Sequence, residues 1–123
     1  MKALALGFAL ALVAAPAAAQ ERGELDYRLG ALGYDALVSG DYATAEKQLR
    51  NADPMIADDP ARLINLGQVL ARTGRLAEAA ELFRRAKALE DGEVVLANGE
   101  AIGSREAARR ALRSLPDVRY SSR

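Results

Sequence analysis

The residues able to do chemistry in this chain are few, and their types narrow the function at once. The chain contains no cysteine and no histidine, which excludes thiol and imidazole nucleophiles and any zinc site built from these ligands. The adjacent carboxylates Asp58 and Asp59 come nearest to a metal-binding pair. Asp59 also directly precedes Pro60, an order typical of a helix N-cap followed by proline in the first turn. We therefore interpret the pair as the start of a helix and predict no metal and no cofactor.

Catalysis by carboxylates alone is the remaining enzymatic hypothesis. Such an enzyme, for example a glycoside hydrolase, needs two acidic side chains that converge in one cleft. No motif in the sequence places two acids in this way. We therefore predict that the chain is not an enzyme and has no catalytic residue.

The charge of the chain limits its partner classes. Basic and acidic residues both number 17, so the formal net charge is zero. A protein whose main partner is nucleic acid or an anionic membrane would carry an excess of basic residues. Two clusters of basic residues are interleaved with glutamates, a pattern that favours solvent-exposed helix faces. The alternative for the second cluster is a binding surface for an anionic envelope lipid or polymer. These clusters are Arg84, Arg85 and Lys87, and then Arg105, Arg109, Arg110 and Arg113.

Residues 1–19 have the features of an export signal. Lys2 gives a positive start, an uncharged run follows from Ala3 to Ala15, and Pro16 and the small residues 17–19 form a signal-peptidase pattern. A membrane-spanning helix needs about 20 apolar residues, so this run is too short to be a good span. The alternative is an uncleaved N-terminal anchor. We expect a periplasmic or secreted protein with no stable membrane span after cleavage.

Residues 28–52 recur at residues 62–86, an offset of 34 residues. A fixed period of this length is typical of stacked helical hairpins, in which each unit buries its apolar face against the next. The matched pairs are Arg28/Arg62, Leu29/Leu63, Leu32/Leu66, Gly33/Gly67, Gly40/Gly74, Ala43/Ala77, Ala45/Ala79, Arg50/Arg84 and Ala52/Ala86.

Glycine occupies two positions in each repeat, for different reasons. Gly33 and Gly67 lie within the apolar stripe predicted for a first helix, where the missing side chain would let a second helix approach closely. Gly40 and Gly74 follow at the turn, where a residue with positive φ commonly ends a helix. Asp41 would then cap the next helix of the first unit.

This pattern resembles the tetratricopeptide repeat over about residues 26–90, in units of about 26–59 and 60–90. The matching residues are Leu29, Leu32, Gly33, Ala36, Gly40, Ala45, Leu49 and Ala52, and then Leu63, Leu66, Gly67, Leu70, Gly74, Ala79, Phe83 and Ala86. Both copies lack the usual aromatic at the first position, and the second copy matches better. The resemblance implies a mainly α fold, an α-α superhelix of two helical hairpins that binds proteins without catalysis. A pair of generic alanine-rich hairpins is the alternative.

The segment after the second unit departs from the repeat. Asn98-Gly99 between β-branched runs favours a β-hairpin over residues 93–102, because both turn residues need positive φ. The alternative is a shortened third repeat helix. Ser104 is predicted to cap a final helix over residues 104–115 that covers one end of the stack. The predicted segments are thus a signal peptide at 1–19, a helical repeat domain at 20–115 and a flexible tail at 116–123.

In the family that this sequence resembles, the first helix of each unit lines a concave groove. Carried over by position, the resemblance places seven residues there, which are Tyr27, Tyr34, Leu37, Ile64, Asn65, Gln68 and Arg72. Such side chains offer stacking surface and hydrogen bonds to a peptide backbone, and an unoccupied solvated face is the alternative. We predict an exported adaptor or scaffold for a partner protein or peptide. The alternative function is a self-associating module of the cell envelope, with a homodimer formed through open repeat edges.

Overall fold

Helices dominate the fold, and short strands follow them. The computed structural model describes residues 14–16, 33–51 and 57–116. In chain order the elements are β1 (Ala14–Pro16), α1 (Tyr34–Ser39), α2 (Tyr42–Arg50), α3 (Pro60–Arg72), α4 (Leu76–Ala88), β2 (Glu93–Leu96), β3 (Ala101–Gly103) and α5 (Ser104–Ser114). This order confirms the predicted mainly α fold of two helical hairpins, a β-hairpin and a final helix. The rest of the predicted signal peptide, the start of the first repeat and the tail after Pro116 lie outside the described residues.

The two helical hairpins, α1–α2 and α3–α4, share one turn geometry. Gly40 and Gly74 take the left-handed conformation, with φ of 84° and 85°, as the repeat pattern predicted. In each turn the amide after the glycine donates to a carbonyl five residues earlier, the bond that closes a Schellman turn. These bonds run from Asp41 to Ala36 and from Arg75 to Leu70, both at 2.8 Å.

Aspartates begin the helices where the sequence predicted them. The Asp41 carboxylate accepts from the Thr44 amide at 3.2 Å at the start of α2. The Asp59 carboxylate accepts from the Ala61 amide at 2.8 Å, with Pro60 in the first turn of α3. Both caps are confirmed, and each satisfies an amide that has no partner within its own helix.

The inner glycines set how closely the two helices of a hairpin approach. A Cβ on Gly67 would lie 2.8 Å from Cδ1 of Phe83, and one on Gly33 would lie 3.0 Å from Cδ1 of Leu49. Leu49 and Phe83 are equivalent in the repeat, so one contact occurs in both units. The predicted close approach is confirmed at both glycines. The predicted position inside a helix is wrong for Gly33, because its φ of 67° interrupts a right-handed helix and α1 starts after it.

Helix α3 is the centre of the core. It packs against β1, α1, α2, α4 and α5, and every residue from Leu63 to Leu70 is buried. The largest buried side chains that surround it from other elements are Leu37, Leu49 and Phe83. A helix buried over nearly its whole circumference needs cover on each face, and the neighbouring elements supply it.

Strands β2 and β3 form the predicted β-hairpin. Val94 lies opposite Ile102, and the Leu96 amide donates to the Glu100 carbonyl at 2.8 Å. Gly99 has a φ of 88°, a conformation that a continuous helix cannot contain. The hairpin is therefore confirmed, and the alternative of a third repeat helix is wrong.

A third strand, β1, was not expected from the sequence. It pairs antiparallel with the other edge of β2, so the sheet order is β1-β2-β3. The opposed residues are Ala14 and Leu96, Ala15 and Val95, and Pro16 and Val94. Part of the predicted signal peptide, which we had given no place in the fold, thus contacts the repeat domain.

The start of α5 corrects one prediction. Gly103 occupies the N-cap position, and Ser104 is buried as the first helical residue. The Arg105 amide donates instead to the Asp91 carboxylate at 2.9 Å, and this bond is the main reason why the pKa of Asp91 lies below its ordinary value. The Ser104 hydroxyl accepts from the Gly92 amide at 3.0 Å. The predicted Ser104 cap is wrong, since a carboxylate from the loop between α4 and β2 caps the helix.

Helix α5 covers the second hairpin. It packs mainly against α4 and also touches α3, and it buries Ala107, Ala108 and Ala111. The helix ends at Ser114, within one residue of the predicted end. The predicted capping helix is therefore confirmed.

The Gly67–Phe83 contact gives a stability prediction. We expect Gly67→Ala to lower the free energy of unfolding by about 1–2 kcal/mol, because overpacking outweighs the roughly 1 kcal/mol that alanine gains over glycine in a helix. Urea denaturation followed by circular dichroism measures this change. Gly92→Ala is the control, since a Cβ there meets nothing within 4 Å.

A double-mutant cycle with Phe83→Leu tests the cause. Leucine resembles Leu49, the residue that faces Gly33 in the first unit. We expect Gly67→Ala to cost less in the Phe83→Leu background than in the parent. An equal cost in both backgrounds would contradict the close-approach explanation.

Candidate functional site

The residues predicted to line the groove fall into three groups. Leu37, Ile64, Asn65 and Gln68 are buried, with exposed fractions of 1%, 0%, 0% and 3%. Tyr34 and Arg72 are half-buried. Tyr27 lies outside the described residues. The α3 residues Ile64, Asn65 and Gln68 thus belong to the buried surface of that helix, and their role in partner binding stays a prediction.

The polar groups on this surface are unusual for their burial. Amide side chains are found mostly at protein surfaces, and when buried they are hydrogen-bonded. Asn65 and Gln68 occupy α3 in a stretch, Leu63–Ala71, that has no charged residue. Strand β1 packs against the same helix. Amides can serve as both donors and acceptors, which is the chemistry needed to hold an extended backbone.

Arg72 has a contact that the resemblance did not predict. Its Nη1 donates to the Tyr42 hydroxyl at 2.6 Å, and its guanidinium carbon lies 5.5 Å from the centroid of the Tyr42 ring. This distance is within the range of a cation–π interaction. Arg72 therefore links the end of α3 to the start of α2, across the boundary between the two hairpins.

A carboxylate–arginine network joins the two repeat units at their exposed side. Glu46 on α2 accepts from Arg75 at 2.6 and 2.9 Å and from Arg50 at 2.8 Å. The bonds from Arg75 first, and then from Arg50, lower the pKa of Glu46 to about 2. The two-pronged contact fixes Arg75 beside α2, just before α4 begins.

The basic clusters are interleaved with acids, as the sequence predicted. Glu106 lies within ion-pair distance of Arg109, Arg110 and Arg113, at 2.9, 3.2 and 3.5 Å. The hydrogen bond from Arg110 is the largest cause of the lowered pKa of Glu106. Arg84 lies 3.5 Å from Glu81. These acids offset part of the basic charge that an anionic lipid or polymer would need.

The carboxylate pair before α3 has structural contacts. Asp59 caps the helix, and Asp58 accepts from Arg85 at 2.6 Å. Within residues 14–16, 33–51 and 57–116 there is no group of three residues able to hold a metal ion. In the same part of the chain, no helix is long and apolar enough to cross a bilayer.

Comparison with known proteins identifies the second hairpin. A family model described as tetratricopeptide repeat matches residues 60–93, which span α3, α4 and the first residue of β2. The comparisons with curated proteins and with solved structures give no match. The matched segment includes Ile64, Asn65, Gln68 and Arg72 from the predicted groove, and it supports a protein–protein interaction module.

Sequence reasoning missed several contacts of this region. The Arg72–Tyr42 pair and the β1–β2 pairing have no local signal, because their partners are far apart in the chain. Arg62 is different: it donates to the carbonyls of Leu49 and Ala57 at 2.9 and 2.8 Å. Its recurrence in the repeat was a usable sign that it holds the unit together.

The Glu46 network gives a pH prediction. The pKa of the Glu46 carboxyl is about 2, below the ordinary 4.5. The stabilisation that ionised Glu46 gives the folded state is therefore complete above about pH 4.5 and is lost as the pH falls toward 2. We expect Glu46→Gln to be slightly less stable than the parent at pH 7, with the difference shrinking through this window. Urea denaturation at several pH values measures it.

Arg75→Gln provides the matched background for this test. With the main partner removed, Glu46→Gln should have a smaller effect at pH 7 and a weaker pH dependence. A difference between Glu46→Gln and the parent that stays constant from pH 7 to pH 2 would contradict the assignment.

Proposed function

We propose, from the match of residues 60–93 to the tetratricopeptide repeat model, that the chain is an exported adaptor that holds a partner protein or peptide on α3. The observation that carries this proposal is the position of α3, the first helix of the matched hairpin, at the centre of the core, with two amide side chains, Asn65 and Gln68, among its apolar residues. No chemical step is required of it. A surface on α3 that a partner segment of suitable shape can reach once its cover is removed is sufficient.

Recognition on this surface rests on shape and hydrogen bonds. Residues Leu63–Ala71 carry no charge, so a charged partner segment would lose its hydration there without an opposite charge to pair with. An uncharged extended segment would instead meet apolar side chains and amides. The balanced net charge of the chain agrees with a partner that is not selected by long-range electrostatics.

Export would also change the state of this surface. The segment that packs on α3, β1, belongs to the stretch that we propose is removed as a signal peptide. Cleavage after Ala19 would remove Ala14–Pro16 and leave part of α3 and β2 uncovered. The binding surface would then become available only after the chain has left the cytoplasm.

Export is tested by the mass of the protein recovered from the cell envelope or the medium. We expect an N-terminus at Gln20, since small residues at 17 and 19 fit signal peptidase. Ala19→Gln should block processing and retain the full-length mass. Ala18→Gln, at a position where the pattern tolerates larger residues, should be processed normally. Full-length mass for the parent, or equal processing of both variants, would contradict the proposal.

Binding at α1 and α3 is tested by site-specific photocrosslinking in the producing cells. A photoreactive phenylalanine analogue replaces Tyr34, which is half-buried beside the core, or Glu81, which is exposed on α4. We expect a crosslinked partner at 34 that is absent at 81. Identical products at both positions would contradict the groove. Recovery of only a crosslinked homodimer at 34 would favour the self-associating module.

A further inference from the structure

The outer edge of β2 is the feature from which we infer a second recognition element. We propose that this edge is an acceptor site for an extended, uncharged segment of a partner, which adds to the sheet as an antiparallel strand. Residues 14–16 occupy the site in the unprocessed chain. The proposal deepens the adaptor function and rests on it in one respect, the removal of residues 1–19 during export.

The direction of the backbone groups along β2 identifies the acceptor residue. The amide of Leu96 donates to the Glu100 carbonyl on the β3 side, at 2.8 Å. Because N–H and C=O groups alternate in direction along a strand, those of Val95 face the opposite side, toward β1. Ala15 lies directly opposite Val95. Val95 is therefore the residue that offers a donor and an acceptor to an incoming strand.

Proline at position 16 agrees with this assignment. Pro16 lies opposite Val94, and Val94 directs its backbone groups toward β3 by the same alternation. A proline has no N–H to donate, and at this position none is needed. Proline is tolerated in edge strands at positions of this kind. The segment seated on β2 thus satisfies the geometry of a strand ligand.

The surroundings of the site limit the chemistry of its occupant. Strand β1 contacts α3 as well as β2, so an occupant lies beside that helix, whose residues Leu63–Ala71 carry no charge. The residues seated there are two alanines and a proline, which have small side chains and no charge. We therefore commit to a partner segment of small, uncharged residues in extended conformation. Main-chain hydrogen bonds would supply affinity, as in other cases of strand addition.

Processing would leave this edge open. Val94 and Leu96 are buried, with exposed fractions of 3% each, so β2 is anchored in the core through its side chains. Its outer backbone groups would lose their partners when β1 is removed. An unpaired edge strand that is held rigidly is a template for pairing with another chain. In the precursor, the attached strand competes at about millimolar effective concentration and keeps the site closed.

The test uses the purified full-length chain and a labelled synthetic peptide with the sequence of residues 12–18. Ala15→Pro removes the N–H that faces β2 and should open the site. Ala14→Pro is the matched control, because the N–H of Ala14 faces away from β2. We expect the Ala15→Pro chain to bind the peptide, by fluorescence anisotropy, at least tenfold more tightly than the parent and the Ala14→Pro chain. A peptide that carries Ala15→Pro should not bind.

Disulfide trapping in the full-length chain gives an independent measurement. The chain has no cysteine of its own, so Ala15→Cys with Val95→Cys introduces one defined pair. We expect it to oxidise in glutathione buffer to a greater extent than Ala15→Cys with Glu93→Cys, which is two residues out of register. The oxidised in-register pair should also fail to bind the peptide, and its reduction should restore the weak binding of the parent chain.

The outcomes separate this proposal from the adaptor function. Equal peptide binding by all chains, or no binding together with equal oxidation of both cysteine pairs, would overturn the acceptor site. An Ala15→Pro chain that doubles its mass in light scattering without binding peptide would mean that a second copy takes the edge, and would also overturn it. None of these results depends on export, which the processing of Ala19→Gln tests separately.

Discussion

Helix α3 is buried on all sides from Leu63 to Leu70, and the need to cover it organises the rest of the fold. From Leu63 to Ala71 the helix offers water no charged residue, and its residues to Leu70 are all buried. Four other helices and strand β1 pack against it. The close approach at Gly67 lets α4 pack against α3, and α5 packs in turn against α4. Strand β1 also packs against α3.

The parts of the fold that repeat could be predicted from the sequence. The turns at Gly40 and Gly74, the caps at Asp41 and Asp59 and the contact at Gly67 are local or recur at the repeat period, so residue type and spacing were sufficient. The Asn98-Gly99 turn was equally readable, because its backbone conformation suits few other residues. The local sequence is sufficient to specify these elements.

Contacts between distant segments could not be predicted in the same way. Ser104 had the right type and position for a cap, yet Asp91 reaches the helix start from the loop between α4 and β2, and the serine is buried. Gly33 matched Gly67 in the repeat but adopts a left-handed φ. The groove residues were placed by resemblance alone, and their burial depends on which segments cover α3. A single sequence does not specify such a cover, because the pairing of β1 with β2 joins residues about eighty positions apart.

The most direct measurement of the proposed uncovering is amide hydrogen exchange within β2, by NMR, on the full-length chain and on the chain recovered after export. In the full-length chain the amides of Val94 and Val95 should both be protected, one by β3 and the other by β1. In the exported chain we predict that Val95 exchanges at least tenfold faster while Val94 keeps its protection. Unchanged protection of Val95 after export would contradict the view that residues 14–16 cover the binding surface.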